Sequence, residues 1–343
     1  MKYSIGYQLP DEFESVSELC RDYSDKISNV YFSWADEKSG RLPLCSQSNA
    51  EEIKRIQLSE LREIRAMGKT LTLLLNANCY GESAISAAHG DHVLSLCEYL
   101  KKETDICSVT TTSPFIAHLV SEHFKDDIQV MASVNMRVGT IRAMKQLSEY
   151  FDGFYMAKEC NRDMETIRKL KAWCDENGKK LCMLANSGCM PFCGFQTFHD
   201  NLVAHQGLDT DVDSSWTAMP SPCHAYLRSM ELADAMAYFL QGTWIRPEDI
   251  KNYEPYFDEV KLATRMHGRM RMVVGAYARG RFRGNLLDLT EPSFSTDFRG
   301  MILDNTMLPH DFFTHIQSCS KDCDACTYCS DVAKIAAIRM GAG

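Results

Sequence analysis

Short β-rich segments alternate with longer amphipathic segments along most of this chain. The apolar segment 69–76 predicts a strand that is buried on both faces. The segment 49–67 before it predicts a helix that ends at Gly68. The pattern repeats as eight strand-plus-helix units, and such alternation predicts a parallel sheet. Eight units favour a closed (β/α)8 TIM-type barrel within the α/β class over an open doubly wound sheet.

Two parts of the chain do not follow this alternation. A long irregular insertion at about residues 186–245 follows the predicted seventh strand, and a Cys-rich extension covers residues 286–343. We therefore predict a barrel at residues 1–285, which includes the insertion, and a separate small element after it. The glycine-containing segment 275–284 does not follow a strand, so it is a weak candidate for a phosphate-binding loop.

Polar and charged residues recur where the predicted strands end. In a barrel of this kind the chemistry takes place at the carboxyl ends of the strands, so these residues are expected around one mouth. The predicted catalytic residues are Lys158, Glu159 and His267. The predicted binding residues for a small anionic substrate are Asn76, Arg137, Asn186 and Arg265.

The cysteine content limits both the compartment and the chemistry. The chain has 343 residues and 15 cysteines, and its first residues show no signal-peptide pattern. In a reducing cytoplasm, where we expect this protein, such thiols indicate metal binding or redox work rather than a disulfide framework. Seven cysteines stand alone before residue 180, and each of them, taken by itself, is interpreted first as a small buried apolar residue.

Of the remaining eight cysteines Cys223 stands alone, and the others form two groups, of which the first is Cys182, Cys189 and Cys193. Cys189 and Cys193 follow the predicted seventh strand with a Cys-x3-Cys spacing, which can place two thiolates on one soft metal centre. The second group spans eleven residues and resembles a mirror image of the ferredoxin-type cysteine spacing, which suits a [4Fe–4S] cluster, with zinc as the alternative. Its members are Cys319, Cys323, Cys326 and Cys329.

Several motifs together resemble the collagenase-like U-32 peptidase family, over roughly residues 1–285. The most specific is LANSGCMPFCGFQTFHDN at residues 184–201. It is accompanied by ECNR at 159–162, WIRPED at 244–249 and SVNMRVGTIRAMK at 133–145. The chain departs from the family pattern at Gly194, where the family often has proline.

The resemblance implies a (β/α)8 barrel that carries a [4Fe–4S] cluster, in a family whose members include oxygen-independent hydroxylases. It implies that Cys189 and Cys193 are cluster ligands and that Cys223 is a third. For the fourth ligand the alternatives are Cys45 and Cys182. We prefer Cys45, because Cys182 lies within a predicted strand and is expected to point away from the mouth.

These features favour an iron–sulfur redox enzyme that modifies a small anionic substrate without oxygen. A second cluster in the tail would relay electrons from a donor such as a ferredoxin or flavodoxin, and a protein partner is compatible with this arrangement. No apolar run approaches the ~20 residues that a membrane-spanning helix needs, so no membrane association is expected.

Two alternatives remain open at this point. One is a peptidase, as the family name suggests, although the chain has neither a Gly-x-Ser-x-Gly nor a His-Glu-x-x-His motif. The other is a component of an RNA-modifying complex, suggested by six arginines within residues 265–283. The net charge of −9 argues against nucleic acid as the main partner.

Overall fold

Eight parallel strands form the central sheet of the computed structural model, which describes residues 1–11, 14–41, 44, 49–205, 222–298 and 300–339. Their order is β7-β6-β5-β4-β3-β2-β1-β8, so each strand lies beside its neighbour in sequence and the last lies beside the first. The strands are β1 Lys2–Gly6, β2 Ile27–Phe32, β3 Thr70–Leu75, β4 Ser108–Thr111, β5 Gln129–Ala132, β6 Gly153–Tyr155, β7 Lys180–Cys182 and β8 Glu259–Lys261.

The sheet closes on itself just after β7. Leu184 forms a parallel bridge with Lys261. The backbone N–H of Lys261 donates to Met183 O at 2.9 Å, and the N–H of Ala185 donates to Lys261 O at the same distance. The prediction of a TIM-type barrel is therefore confirmed.

Helices connect the strands and bury one apolar face each against the barrel. Most of them begin at a residue whose side chain accepts from a free backbone N–H group: Ser113 Oγ, for instance, accepts from Ile116 N at 3.3 Å, directly before a proline in the first turn. The barrel helices are α1 Val16–Asp22, α2 Ala50–Ala66, α3 Ala87–Thr104, α4 Pro114–Phe124, α5 Ile141–Leu147, α6 Met164–Glu176 and α10 Met270–Arg279.

The insertion after β7 is more regular than the sequence suggested. It contains the helices α7 Gln196–His205, α8 Pro222–Ser229 and α9 Leu232–Leu240. The expectation of an irregular segment was therefore wrong in part. These helices are short, and α8 and α9 bury their apolar residues against the C-terminal part of the chain rather than against the barrel.

A second apolar core joins the insertion to the C-terminal extension. The extension contributes α11 Phe312–Ile316, α12 Tyr328–Ala336 and an antiparallel pair of β9 Met301–Leu303 with β10 Ala337–Arg339. At its centre Phe312, which is fully buried, stacks between Trp244 and Tyr328. The insertion and the extension thus fold against each other, while the domain boundary at residue 285 stays a prediction.

We find no helix, over the ranges that the structure describes, with the length and apolar character needed to cross a membrane.

Candidate active site at the barrel mouth

A cavity of about 550 Å³ opens at the carboxyl ends of the strands. Its wall includes Cys189, Cys193 and Cys223, the three thiols that the family resemblance implies as cluster ligands. Lys158 and His267 line the same cavity. The structure therefore brings these three thiols and two of the predicted catalytic residues to the end of the barrel where chemistry is expected.

The loop that carries the first two thiols is held by a segment from the C-terminal extension. Ser187 forms a parallel bridge with Glu291, and the N–H of Gly188 donates to Glu291 O at 3.0 Å. A Cβ atom at Gly188 would lie 2.2 Å from Pro292 O, closer than any real Cβ contact. Only glycine allows this approach, so Gly188 fixes how the loop leaves β7.

A partly buried ion pair lies in the wall of the same cavity. Arg41 Nε lies 3.4 Å from Glu291 Oε1, and Glu291 Oε2 accepts from Met266 N at 3.0 Å. Glu291 is mostly buried, so its charge is held by these donors rather than by water. Arg41 also lines the cavity and brings a positive charge close to the side of Cys189.

Burial disfavours the charged form of the two histidines among the described lining residues of the cavity. Burial lowers the pKa of His199, and the charge of Arg41 lowers it further. Burial also lowers the pKa of His267. In His267, Nε2–H donates to Asp288 O at 2.8 Å and Nδ1 accepts from Arg269 N at 3.0 Å, so both ring nitrogens are engaged.

The three predicted catalytic residues do not all face the same space. Lys158 is buried, and its Nζ donates to Gln196 Oε1 at 2.9 Å in the wall of the mouth cavity. Glu159 Oε1 lies 3.9 Å from that ammonium. The Glu159 side chain, however, lines a different cavity on the side of the tail cysteines.

The predicted substrate-binding residues Asn76, Arg137, Asn186 and Arg265 are absent from the described lining of the mouth cavity. Asn186 is fully buried: its amide donates to Ala263 O at 2.9 Å and Leu289 O at 3.0 Å. The amide oxygen of Asn76 accepts from Gly40 N at 2.9 Å. These three contacts position loops around the mouth, and the substrate-binding roles stay predictions.

The two arginines of that set contact neighbouring side chains. Arg137 Nη2 lies 3.3 Å from a carboxylate oxygen of Asp200, which lines the cavity. Arg265 Nη2 donates to Ser39 Oγ at 2.9 Å, while its buried Nε has no hydrogen-bond partner among the described residues. Arg137 therefore contacts a residue that lines the mouth, whereas Ser39, the partner of Arg265, is not among the described lining residues.

Cys182 lies at the opposite end of the barrel. It lines a cavity of about 720 Å³ near the amino ends of the strands, together with Lys2 and Ser28. Burial raises the pKa of its thiol to about 12. This placement supports the preference against Cys182 as a partner of Cys189, whereas Cys45 lies outside the described residues.

The tail cysteines lie on the far side of the 189–193 loop. Cys319, Cys323 and Cys329 line a cavity of about 300 Å³ that also contains Phe192 of that loop. Burial raises the pKa of Cys329 to about 11, and the nearby Cys326 contributes in the same direction. All four tail thiols are thus close enough to interact electrostatically.

One side chain lies near both cysteine groups. Burial raises the pKa of the Tyr238 hydroxyl, and the charges of Tyr226, Cys193 and Cys323 raise it further. Tyr238 lines the smaller cavity, while Cys193 lines the mouth. The 189–193 loop and Tyr238 therefore form the wall between the two groups.

No three His, Cys, Asp or Glu side chains converge into a preformed metal site in the part of the chain that the structure describes. The donor chemistry of both groups nonetheless fits a thiolate-bound metal centre, because soft thiolates gather at one cavity in each case. Binding would require the cysteine-bearing loops to close around the metal.

Sequence reasoning missed several residues that line the mouth. Arg41 and Glu291 belong to segments that are distant from the cysteine motif, and Glu291 comes from the part assigned to the extension. Asp200 lies within the quoted motif but was given no role. The signal that could have marked this segment is the pair of acidic residues Asp288 and Glu291 directly after the apolar residues 286–287.

The chain was compared with protein families, curated proteins and solved structures. No protein-family model matches the chain. An uncharacterized protease of Methanocaldococcus jannaschii is 23% identical over 348 residues, which cover 97% of this chain and 98% of the relative. The solved structure of the U32 peptidase Mk0906 matches with a TM-score of 0.52 at 13% identity, covering 77% of this chain and 93% of that chain. This chain is therefore similar to the archaeal relative along nearly its whole length, and it shares its barrel fold with the U32 peptidase Mk0906.

Proposed function

We propose that this chain is an iron–sulfur redox enzyme that modifies a small anionic substrate without oxygen, by hydroxylation or related redox chemistry. One [4Fe–4S] cluster would lie at the barrel mouth and a second in the tail. The observation that carries the proposal is the convergence of Cys189, Cys193 and Cys223 on one cavity that also holds positively charged side chains. A cytoplasmic location belongs to the same proposal, because thiolate-bound clusters need a reducing compartment.

At the mouth, the cysteines would hold the cluster, which supplies redox chemistry when bound. Cys45 is the proposed fourth ligand. Lys158 presents a buried ammonium to the cavity, and Arg41 adds a guanidinium whose charge Glu291 balances in part. A small anion would be attracted to these two cations in a site from which the surrounding loops exclude much of the water.

In the tail, the four cysteines would hold a second cluster that passes electrons to the mouth. Support comes from the shared wall, because Phe192 faces the tail cavity while Cys189 and Cys193 face the mouth. Cys319, Cys323 and Cys326 are exposed, so a ferredoxin or flavodoxin would reach this end of the path first.

Anaerobic purification with iron and sulfide analysis tests this function. We expect about eight irons per chain, since each cubane holds four. The Cys189→Ser variant should lose the mouth iron and Cys326→Ser the tail iron, while Cys182→Ser, on the opposite end of the barrel, should lose none. Fewer than about four irons per chain in protein never exposed to air would contradict the two-cluster enzyme.

A peptidase is the second candidate, because the names of both relatives describe proteases. Next to one of the mouth thiols the structure offers an arrangement of that type: His224 Nδ1 lies 2.6 Å from Asp297 Oδ2, as in a base oriented by a carboxylate. Cys223 precedes His224 within α8, where successive side chains point about 100° apart, which disfavours this thiol as the nucleophile.

Cleavage of casein or collagen peptides by iron-free protein would favour the peptidase, with His224→Gln as the variant that should abolish it. No observation favours an RNA-modifying component to the same degree. Two of the six arginines that suggested it, Arg269 and Arg271, form ion pairs with carboxylates, which reduces the charge available to a phosphate backbone.

A further inference from the structure

Arg162 carries a buried positive charge beside the tail cysteines. It follows β6, and only a small fraction of the residue is exposed. Its Nη1 donates to Leu240 O at 2.7 Å, and Nε and Nη2 donate to Trp244 O at 3.0 and 2.8 Å. The guanidinium also lies 4.6 Å from the centroid of the Trp244 ring.

All of these contacts are with neutral groups. Within the described ranges no carboxylate lies at ion-pair distance from Arg162. Arg246, which lies over the same Phe312 ring, differs in this respect because its Nε is 3.1 Å from Asp249 Oδ2. A buried cation without an anionic partner is costly, and burial accordingly lowers the pKa of Arg162 to about 10.

The unbalanced charge faces the tail cysteines. Arg162 lines the 300 Å³ cavity together with Cys319, Cys323 and Cys329. Negative charge on Tyr253, Cys329, Asp249 or Cys319 stabilises the guanidinium, opposing the effect of burial, and of these groups Asp249 is already paired with Arg246. The protein has therefore placed a cation where thiolates would supply the missing anion.

We propose that Arg162 is the counter-charge of the tail metal–thiolate centre and raises its reduction potential. This inference rests on the proposed tail cluster. A [4Fe–4S] core with four thiolates is anionic when oxidised and gains one more negative charge on reduction. The electron comes from a ferredoxin- or flavodoxin-class donor, and no bond forms or breaks. A fixed buried cation stabilises the reduced form more than the oxidised form.

The test is an anaerobic redox titration of the full-length protein followed by electron spin resonance, with dithionite as the reductant. The tail signal is first assigned as the one that disappears in Cys326→Ser. We expect Arg162→Met to shift the midpoint of this signal to lower potential and Arg162→Lys, which keeps the charge, to stay close to the parent. Lys321→Met is the matched control, because Lys321 lines the same cavity but is exposed, so its charge is screened and its removal should shift the midpoint less.

The outcomes separate this inference from the function on which it rests. If Cys326→Ser loses no iron, the tail cluster fails and the role of Arg162 fails with it. If the tail iron is present and Arg162→Met titrates like the parent, only the role of Arg162 is overturned. If Arg162→Met does not load iron, Arg162→Lys decides: a midpoint near that of the parent supports the counter-charge, and an equal failure to load overturns it.

Discussion

Replacing Phe312 by alanine tests how the C-terminal extension is attached to the barrel. Phe312 is fully buried, and its ring centroid lies 6.3 Å from that of Trp244 and 6.3 Å from that of Tyr328. Truncation of a buried phenylalanine costs ~3–5 kcal/mol, a value that includes lost burial and the cavity left behind. Stacking on each of the two partner rings contributes ~1 kcal/mol beyond burial, so we expect the loss of stability to lie at the upper end of this range.

This loss should be confined to the second core. Phe312 belongs to the cluster built by the insertion and the extension, whereas the barrel has its own core. We therefore expect Phe312→Ala to unfold in two steps in urea. The first step, at the lower urea concentration, should coincide with loss of the tail iron. Tryptophan fluorescence and circular dichroism, recorded anaerobically on the same samples, would follow the two steps.

Phe313 in the same short helix provides the matched control. It is half-buried, packs against the barrel core and lies 5.9 Å from the Tyr253 ring. Phe313→Ala should cost less and should leave the tail iron in place. A cost below ~1 kcal/mol for Phe312→Ala would refute the stacking argument. A single transition shifted as a whole would show that the barrel and the extension unfold as one unit, against the boundary predicted at residue 285.

Three further substitutions follow from contacts around the barrel. Burial, and after it the charge of Arg265, lowers the pKa of Lys261 from 10.5 to about 7. The buried ammonium therefore destabilises the folded chain below pH 7, and this destabilisation disappears as the pH rises towards 10.5. Lys261→Met should therefore raise the free energy of unfolding at pH 6. The gain should be less than the ~5 kcal/mol expected for full burial, because the side chain keeps some solvent contact. An equal gain at pH 10 would contradict this. Gly188→Ala should lower the free energy of unfolding by ~1–3 kcal/mol and should reduce the iron content of the mouth but not of the tail. Gly194→Ala is the control: its Cβ would meet nothing within 4 Å, so thermal unfolding and iron content should not change. Asn186→Ala should destabilise the chain by ~2–4 kcal/mol in urea unfolding, because two buried carbonyls and one buried N–H lose their partner, and a loss below ~1 kcal/mol would contradict this structural role.

The sequence allowed the barrel to be predicted because its signal is local. Most strands are short segments rich in apolar or β-branched residues, and several helices begin at a capping side chain, so eight units could be counted without knowledge of tertiary contacts. The cysteine loop could be predicted for the same reason, because both cysteines of its Cys-x3-Cys spacing lie within residues 189–193. The helices of the insertion were missed because their apolar faces match a partner core that lies far away in sequence.

The strand-end residues show where such reasoning stops. A polar residue after a strand either faces the mouth or bonds to the backbone of a neighbouring loop, and the sequence pattern is the same in both cases. Lys158 faces the mouth, whereas Asn186 bonds to Ala263 and Leu289. The choice depends on which loop lies above each strand end, and that is decided by contacts between distant segments.

The position of Glu291 determines how the two proposed centres can be separated by experiment. This residue lies beyond the predicted barrel boundary, yet its carbonyl accepts from Gly188 N at 3.0 Å and its carboxylate lies 3.4 Å from Arg41 Nε. A chain cut at residue 285 would lose both contacts together with the tail cysteines. The loop that presents Cys189 would then lack its support, and loss of the mouth iron would follow even if the two centres were independent. Single cysteine substitutions avoid this ambiguity, because Cys326→Ser removes one tail thiol and leaves residues 288–292 in place against the mouth.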